Sequence, residues 1–366
     1  MSGRSAGGAS AGGPSAGGPS PGGPSPGGPS PGGPSPGGPS PGGPSPGGPS
    51  GVELGRRLRD GDLAAAPAAL NLVENRSTAA RPEIAALLRE VSPEALGGEA
   101  GAHVVGVTGP PGAGKSTLLS ALVAGWRARG RTVAVLAVDP SSKRSGGALL
   151  GDRARIEADP ADRGMFIRSM AAGERLGGLA PATRAAAQAL SAAFDVVVIE
   201  TVGVGQSETE VAEAADTVAV IVQPGSGDAL QFLKAGIMEV PDVLVVTKAD
   251  LGVVATRAVR DLRAALRALG DRATEVIAVS SVHPLQGIDE LIAALEAHRD
   301  ALDLGAARVR ARRLGALADF VAEHGARGLR SLGGRRAAER FLAEQPGEAG
   351  EPALVAALEA RAASSA

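Results

Sequence analysis

Eight consecutive residues, Gly109-Pro110-Pro111-Gly112-Ala113-Gly114-Lys115-Ser116, fit the spacing GxxxxGK[ST]. Glycines so placed let a backbone wrap a phosphate, with its N–H groups and the following helix N-terminus pointing at the anion. In that frame Lys115 reaches the β- and γ-phosphates and the Ser116 hydroxyl ligates Mg²⁺. The run 109–117, Thr117 included, is therefore the expected phosphate-contacting set. A chance match in a Gly-rich chain is the bland alternative. It is set aside because the loop directly follows an apolar strand pattern ending at Val107 and directly precedes a helical one beginning near Lys115. The implied ligand is a nucleotide.

A metal at the phosphates needs an acid from the end of a neighbouring strand. Asp195-Val-Val-Val-Ile-Glu200 leads four apolar residues into Glu200, and Gly203 and Gly205 then let a loop approach the γ-phosphate. Asp139 ends the apolar run 132–138 and points to the same edge of the sheet, where such ligands bind. Thr247-Lys248-Ala249-Asp250 resembles the guanine-reading NKxD motif with Thr in place of Asn. A carboxylate at Asp250 accepts from guanine N1–H and the exocyclic amine, a pairing adenine cannot offer, while the Lys248 stem lies over the purine. Ser280, Ser281 and Val282 stand where a loop backs the base. GTP and GDP are the expected nucleotides. Val204 occupies the place of a water-orienting Gln, so intrinsic hydrolysis is expected to be slow. Gln206 reads as a switch contact, and Arg153 and Arg155 as solvated.

These groups must be held by elements. Near-continuous β-branched runs at 103–108, 132–138, 195–200, 217–222, 243–247 and 275–280 read as buried parallel strands. Helical patterns at 116–130, 180–194, 207–215, 255–269 and 287–301 separate them. The expected fold class is α/β, a doubly wound, mostly parallel sheet. Residues 52–102 read as N-terminal helices, 103–304 as the nucleotide domain and 305–366 as a helical arm broken at Gly333-Gly334 and Pro346-Gly347. Residues 11–50 are eight pentads, two Ala-Gly-Gly-Pro-Ser and six Pro-Gly-Gly-Pro-Ser, without a charge. They cannot bury enough apolar surface to offset the entropy of ordering, so residues 1–51 are expected to be a flexible tail.

Composition narrows the function further. A formal net charge of −2 lacks the basic excess of a dedicated nucleic-acid binder. Cysteine is absent, which excludes disulfides, thiolate metal sites and Cys nucleophiles. No apolar run approaches the roughly 18–20 residues of a membrane span, and the N-terminus has no secretory or transit pattern. A cytoplasmic protein without nucleic-acid or membrane partners is expected. His103, His283, His298 and His324 show no metal-binding spacing and read as structural or surface groups. Trp126 reads as packing and Arg308–Arg313 as a solvated helix face.

Five segments together resemble one family: Val138-Asp-Pro-Ser-Ser, Ser145-Gly-Gly-Ala-Leu-Leu-Gly-Asp-Arg, Glu200-Thr-Val-Gly-Val-Gly-Gln-Ser-Glu, Gln223-Pro-Gly-Ser-Gly-Asp and Asp228-Ala-Leu-Gln-Phe-Leu-Lys-Ala-Gly-Ile-Met-Glu. Over roughly residues 52–300 the chain is similar to the MeaB/ArgK family of P-loop GTPases. The resemblance implies a GTP-hydrolysing chaperone of an adenosylcobalamin-dependent acyl-CoA mutase, typically methylmalonyl-CoA mutase, that gates cofactor loading and protects or reactivates the mutase. It also implies that Asp139, Asp152 and Glu200 surround the metal and the attacking water. Residues 140–156 and 201–208 would be switch segments, and the arm would make a homodimer. The Asp-x-His-x-x-Gly pattern of cobalamin binders is absent, so the cofactor would belong to the partner. Two rivals stand beside this reading. One is an ArgK-like ATPase or kinase linked to amino-acid transport, for which no phosphoacceptor site is evident. The other is a metal-delivery GTPase, which the lack of Cys disfavours.

Overall fold

The structure, a computed structural model, describes residues 48–139, 156, 159, 161–171, 181–201, 211–225 and 241–364. Four helices come first: α1 (Gly51–Arg59), α2 (Ala66–Val73), α3 (Arg81–Glu90) and α4 (Pro93–Leu96). Prolines open α2, α3 and α4, where the missing N–H costs nothing. The Ser50 and Ser92 hydroxyls cap α1 and α4.

Strands and helices then alternate: β1 (His103–Thr108), α5 (Lys115–Ala128), β2 (Val133–Asp139), β3 (Met165–Ala171), α6 (Pro181–Ser191), β4 (Val196–Thr201), β5 (Thr217–Val222), β6 (Val243–Val246), α7 (Val253–Ala268), β7 (Glu275–Ala278) and α8 (Ile288–Ala301). The seven strands are all parallel, in the order β3-β2-β4-β1-β5-β6-β7. This is the doubly wound architecture that the strand–helix alternation predicts. The sequence reading missed β3. That strand lies at the sheet edge, where Arg168 interrupts its apolar run and pairs with Glu74 of the segment after α2.

Alternate residues of each strand enter opposite cores, so both faces are buried. Val104, Leu136, Val197 and Ile199 pack with α1–α3 and α6, while Val105, Val107, Val135 and Val198 pack with α5 and α8. Trp126 lies fully buried in the second core, as expected of a packing residue. The arm comprises α9 (Leu304–Ser331), broken at Gly325, then α10 (Arg335–Ala343) and α11 (Glu351–Ser364), around Leu317, Phe320, Leu342 and Leu354.

Apart from the exposed Arg310, the Arg308–Arg313 run is not a solvated face. Arg308 bonds both carboxylate oxygens of Asp216, at 2.9 and 2.6 Å, and Arg312 both of Glu99, at 2.9 and 2.7 Å. Both arginine side chains are only 12% exposed. Arg313 donates to the carbonyls of Ala343 and Gln345. These arginines fasten the arm to the sheet and to itself, because their partners lie far off in sequence. A second tie joins Arg184 of α6 to Asp319 and Glu351.

Candidate functional site

The parallel sheet brings the carboxyl ends of its strands to one edge. Glu200 lies in register with Val107 of β1 and Ala137 of β2, two residues before the glycine that opens the loop. Gly109 has φ +148°, and a Cβ there would meet the Ile221 carbonyl oxygen of β5 at 2.5 Å. Only glycine lets the backbone turn this close to the neighbouring strand. Gly114, at φ +91°, places the backbone in the left-handed region and caps α5.

α5 then presents its first turn to the site. Lys115 is buried, and its Nζ donates to the carbonyls of Gly109 at 2.7 Å and Pro110 at 3.1 Å. The cation thus spans the loop whose backbone it serves. Ser116 Oγ lies 3.5 Å from Glu200 Oε1. Glu200 is itself buried, at 4% exposure, so a carboxylate and a hydroxyl converge where solvent is scarce. Two hard oxygen donors at a helix N-terminus suit Mg²⁺, and Cys and His are absent from the pair. The residues present therefore fit that ion.

The base-reading segment is tied to the same loop. Thr247 is buried, and its hydroxyl donates to the Ala113 carbonyl at 2.7 Å. Thr in this position therefore clamps β6 to the phosphate loop, a role the sequence pattern did not disclose. Lys248 has φ +55°, and Asp250 follows it exposed. Asp250 Oδ1 lies 3.1 Å from Ser280 Oγ, and the Ala249 N–H donates to the Val279 carbonyl at 2.9 Å. Ser280, which sequence reasoning placed only in the backing loop, thus orients the carboxylate expected to read guanine. Ser281 is half-buried and Val282 exposed beside it. Of the phosphate-loop residues, Ala113 is buried, Pro110 half-buried, and Pro111 and Thr117 exposed.

Lys115, Ser116, Glu200, Thr247 and Ala113 are therefore brought together. The backbone of Asp139 ends β2 in register with Ala171, but its side chain lies outside the described residues. So do Asp152, Gly203, Val204, Gln206, Arg153 and Arg155, both expected switch segments apart from Ile156 and Thr201, and the tail up to residue 47. A cavity of about 640 Å³ lies elsewhere, at the opposite ends of the strands between α6, α8 and the arm. Its lining ions include the paired Arg308–Asp216 and Arg312–Glu99. The residues expected to hold phosphate do not line it; they lie at the carboxyl edge, where such sheets bind ligands.

Comparison with known proteins bears on this site. Residues 66–327 match the family described as Methylmalonyl Co-A mutase-associated GTPase MeaB. A protein of Pyrococcus abyssi that bears a GTPase name is 44% identical over 258 residues, covering 69% of this chain and 76% of its own. The mitochondrial methylmalonic aciduria type A homolog of Caenorhabditis elegans is 40% identical over 209 residues, 54% of this chain and 52% of that protein. A crystal structure described as an LAO/AO transport system kinase is 29% identical with a TM-score of 0.55, covering 80% of this chain and 96% of that one. Among the described residues, no helix is long and apolar enough to cross a membrane.

Proposed function

The chain belongs to the MeaB family of methylmalonyl-CoA mutase-associated GTPases and is a guanine-nucleotide-binding GTPase; from that premise we propose that it chaperones an adenosylcobalamin-dependent acyl-CoA mutase. The family match over residues 66–327 carries the reading. The name of the nematode relative supports a link to methylmalonyl metabolism. In this reading the chain gates cofactor loading and protects or reactivates the mutase, acts as a homodimer through its arm, and keeps the cobalamin on the partner.

The same reading assigns a role to each residue. The 109–117 loop cradles the phosphates with backbone N–H groups, and Lys115 compensates their charge. Ser116 and Glu200 hold Mg²⁺, with Asp139 and Asp152 completing the acids around it. Bound there, Mg²⁺ neutralises charge on the β- and γ-phosphates. Gly203 approaches the γ-phosphate. Asp250, set by Ser280, reads the guanine edge, Lys248 covers the base, and Ser281 and Val282 back it. Val204 leaves water orientation to other groups, so hydrolysis alone is slow and suits a checkpoint.

The test is calorimetric titration of the purified mutase into the chain loaded with GTP, with GDP or with no nucleotide. A complex whose affinity depends on the nucleotide is expected; no complex in any state ends the chaperone reading. Competition between GTP and ATP separates it from the transport-linked kinase, since Asp250 predicts that ATP fails to displace GTP.

A further inference from the structure

The base-reading edge continues into a surface that the nucleotide chemistry does not use. Asp250 is followed at once by Leu251, 49% exposed, then Val253 at 83% and Val254 at 47%, where α7 begins. Leu285, 42% exposed, follows the loop that backs the base. Soluble proteins leave single apolar side chains in water, but a run of them rimmed by charge marks an interaction site.

The rim here is basic. α7 carries Arg257, Arg260, Arg263 and Arg267 against one acid, Asp261, in a chain whose formal net charge is −2. Arg257 and Arg260 are about three-quarters exposed and share Asp261, at 3.7 and 3.2 Å. Arg267 has no ion-pair partner among the described residues. α7 thus carries a net positive charge beside an apolar patch. Arginine around an apolar centre is the composition of a protein interface. A polyanion or lipid headgroup layer would meet the arginines but offer nothing specific to the apolar cluster, which sits at one end of the helix and not along it.

We infer that α7 and the Leu251–Val254 turn dock an acidic surface of the mutase with an apolar centre. The inference rests on the mutase reading above and names the face that serves it. Docking there covers the edge of the base site, because α7 begins three residues after Asp250. The seated partner therefore slows nucleotide release.

The experiment uses the full-length chain and purified mutase. Val253→Asp, the pair Arg257→Glu/Arg260→Glu, and Arg335→Glu on the exposed face of α10 as a control are compared in mutase binding and in release of a fluorescent GDP. Val253→Asp adds an acid at a helix N-terminus, which the helix tolerates. The expected result is binding about tenfold weaker for the first two variants and unchanged for Arg335→Glu. Wild-type affinity should fall as salt rises from about 50 to about 300 mM, less steeply in the double variant. The mutase should slow GDP release from wild type about tenfold and leave release from Val253→Asp unchanged. GTP hydrolysis without mutase stays at the wild-type rate in all three, which shows that they fold. Equal mutase binding by wild type and variants overturns this face and leaves the mutase reading standing. No binding by wild type in any nucleotide state removes both. Tighter binding of wild type to phosphatidylserine vesicles or duplex DNA than to the mutase, abolished by the double reversal, also overturns the proposal.

Discussion

Lys115 and Thr247 bond different carbonyls of the 109–117 loop, and each makes a separable prediction. Lys115 is the cation of the loop, and its Nζ is held against the Gly109 and Pro110 carbonyls. Lys115→Ala should lower GTP hydrolysis at least about 100-fold, measured by phosphate release, while circular dichroism and melting stay near wild type. Unchanged turnover would remove Lys115 from the site. Thr247 contributes structure and not charge. Thr247→Val keeps the shape but leaves the buried Ala113 carbonyl without its hydroxyl donor, costing about 1–3 kcal/mol. Because the lost bond joins base segment to phosphate loop, GTP affinity should fall about tenfold or more, read by fluorescent-nucleotide titration. An affinity equal to wild type would show that the clamp is incidental.

The elements that hold these residues also set a pH dependence. Burial is the largest influence on two groups that respond oppositely. It holds the His103 imidazole down at about 4, and it pushes the Glu351 carboxyl up to about 7 against the pull of Arg184, with Asp319 adding to the rise. His103 starts β1 and bonds Thr217 Oγ1 at 2.9 Å, whereas Glu351 starts α11 and docks on α6 through Arg184. For His103, the unfolded chain takes a proton that the folded chain refuses. Its contribution is complete above about 6.5 and is lost as pH falls toward 4. For Glu351, the folded chain keeps a proton that the unfolded chain has given up. Its contribution is complete below about 4.5 and is lost as pH rises through 7. Each loss is on the order of 3 kcal/mol at its limit. Melting followed from pH 4 to 8 should show both limbs, with Glu351→Gln flattening only the alkaline one and His103→Gln only the acid one. A Glu351→Gln curve parallel to wild type would refute the assignment. Much of this frame was legible in the sequence, since six strands stand out as unbroken apolar runs and the GxxxxGK[ST] spacing locates the loop. What was illegible depends on distance along the chain. Thr247 meets Ala113 across 134 residues, and Arg308 and Arg312 meet their acids across 92 and 213. No local pattern carries such pairings. β3 was hidden because an edge strand carries a charged residue, Arg168, that breaks its apolar run.

At the scale of the molecule, residues 48–364 contain every contact on which these arguments draw. The sheet's carboxyl edge carries the phosphate and base groups, its opposite edge is fastened to the arm by Arg308 and Asp216, and α7 adds a charged flank. Apart from Ser50, whose hydroxyl caps α1, the pentads at 11–50 offer none of the chemistry that would join them to this arrangement, having no charge and, beyond Ala and Pro, no apolar side chain. On that composition, removing residues 1–47 should take the same chain entropy from the folded and unfolded states and leave the stability difference unchanged. A chain lacking residues 1–47 should therefore melt within about 1 °C of the full chain, a shift too small to represent even 1 kcal/mol. It should also hydrolyse GTP at the same rate. If the truncated chain instead melts several degrees lower or binds GTP more weakly, the pentads contact the folded part, and the composition argument fails. If stability and hydrolysis hold but mutase affinity changes, the repeat serves the partner alone, and the nucleotide site works without it.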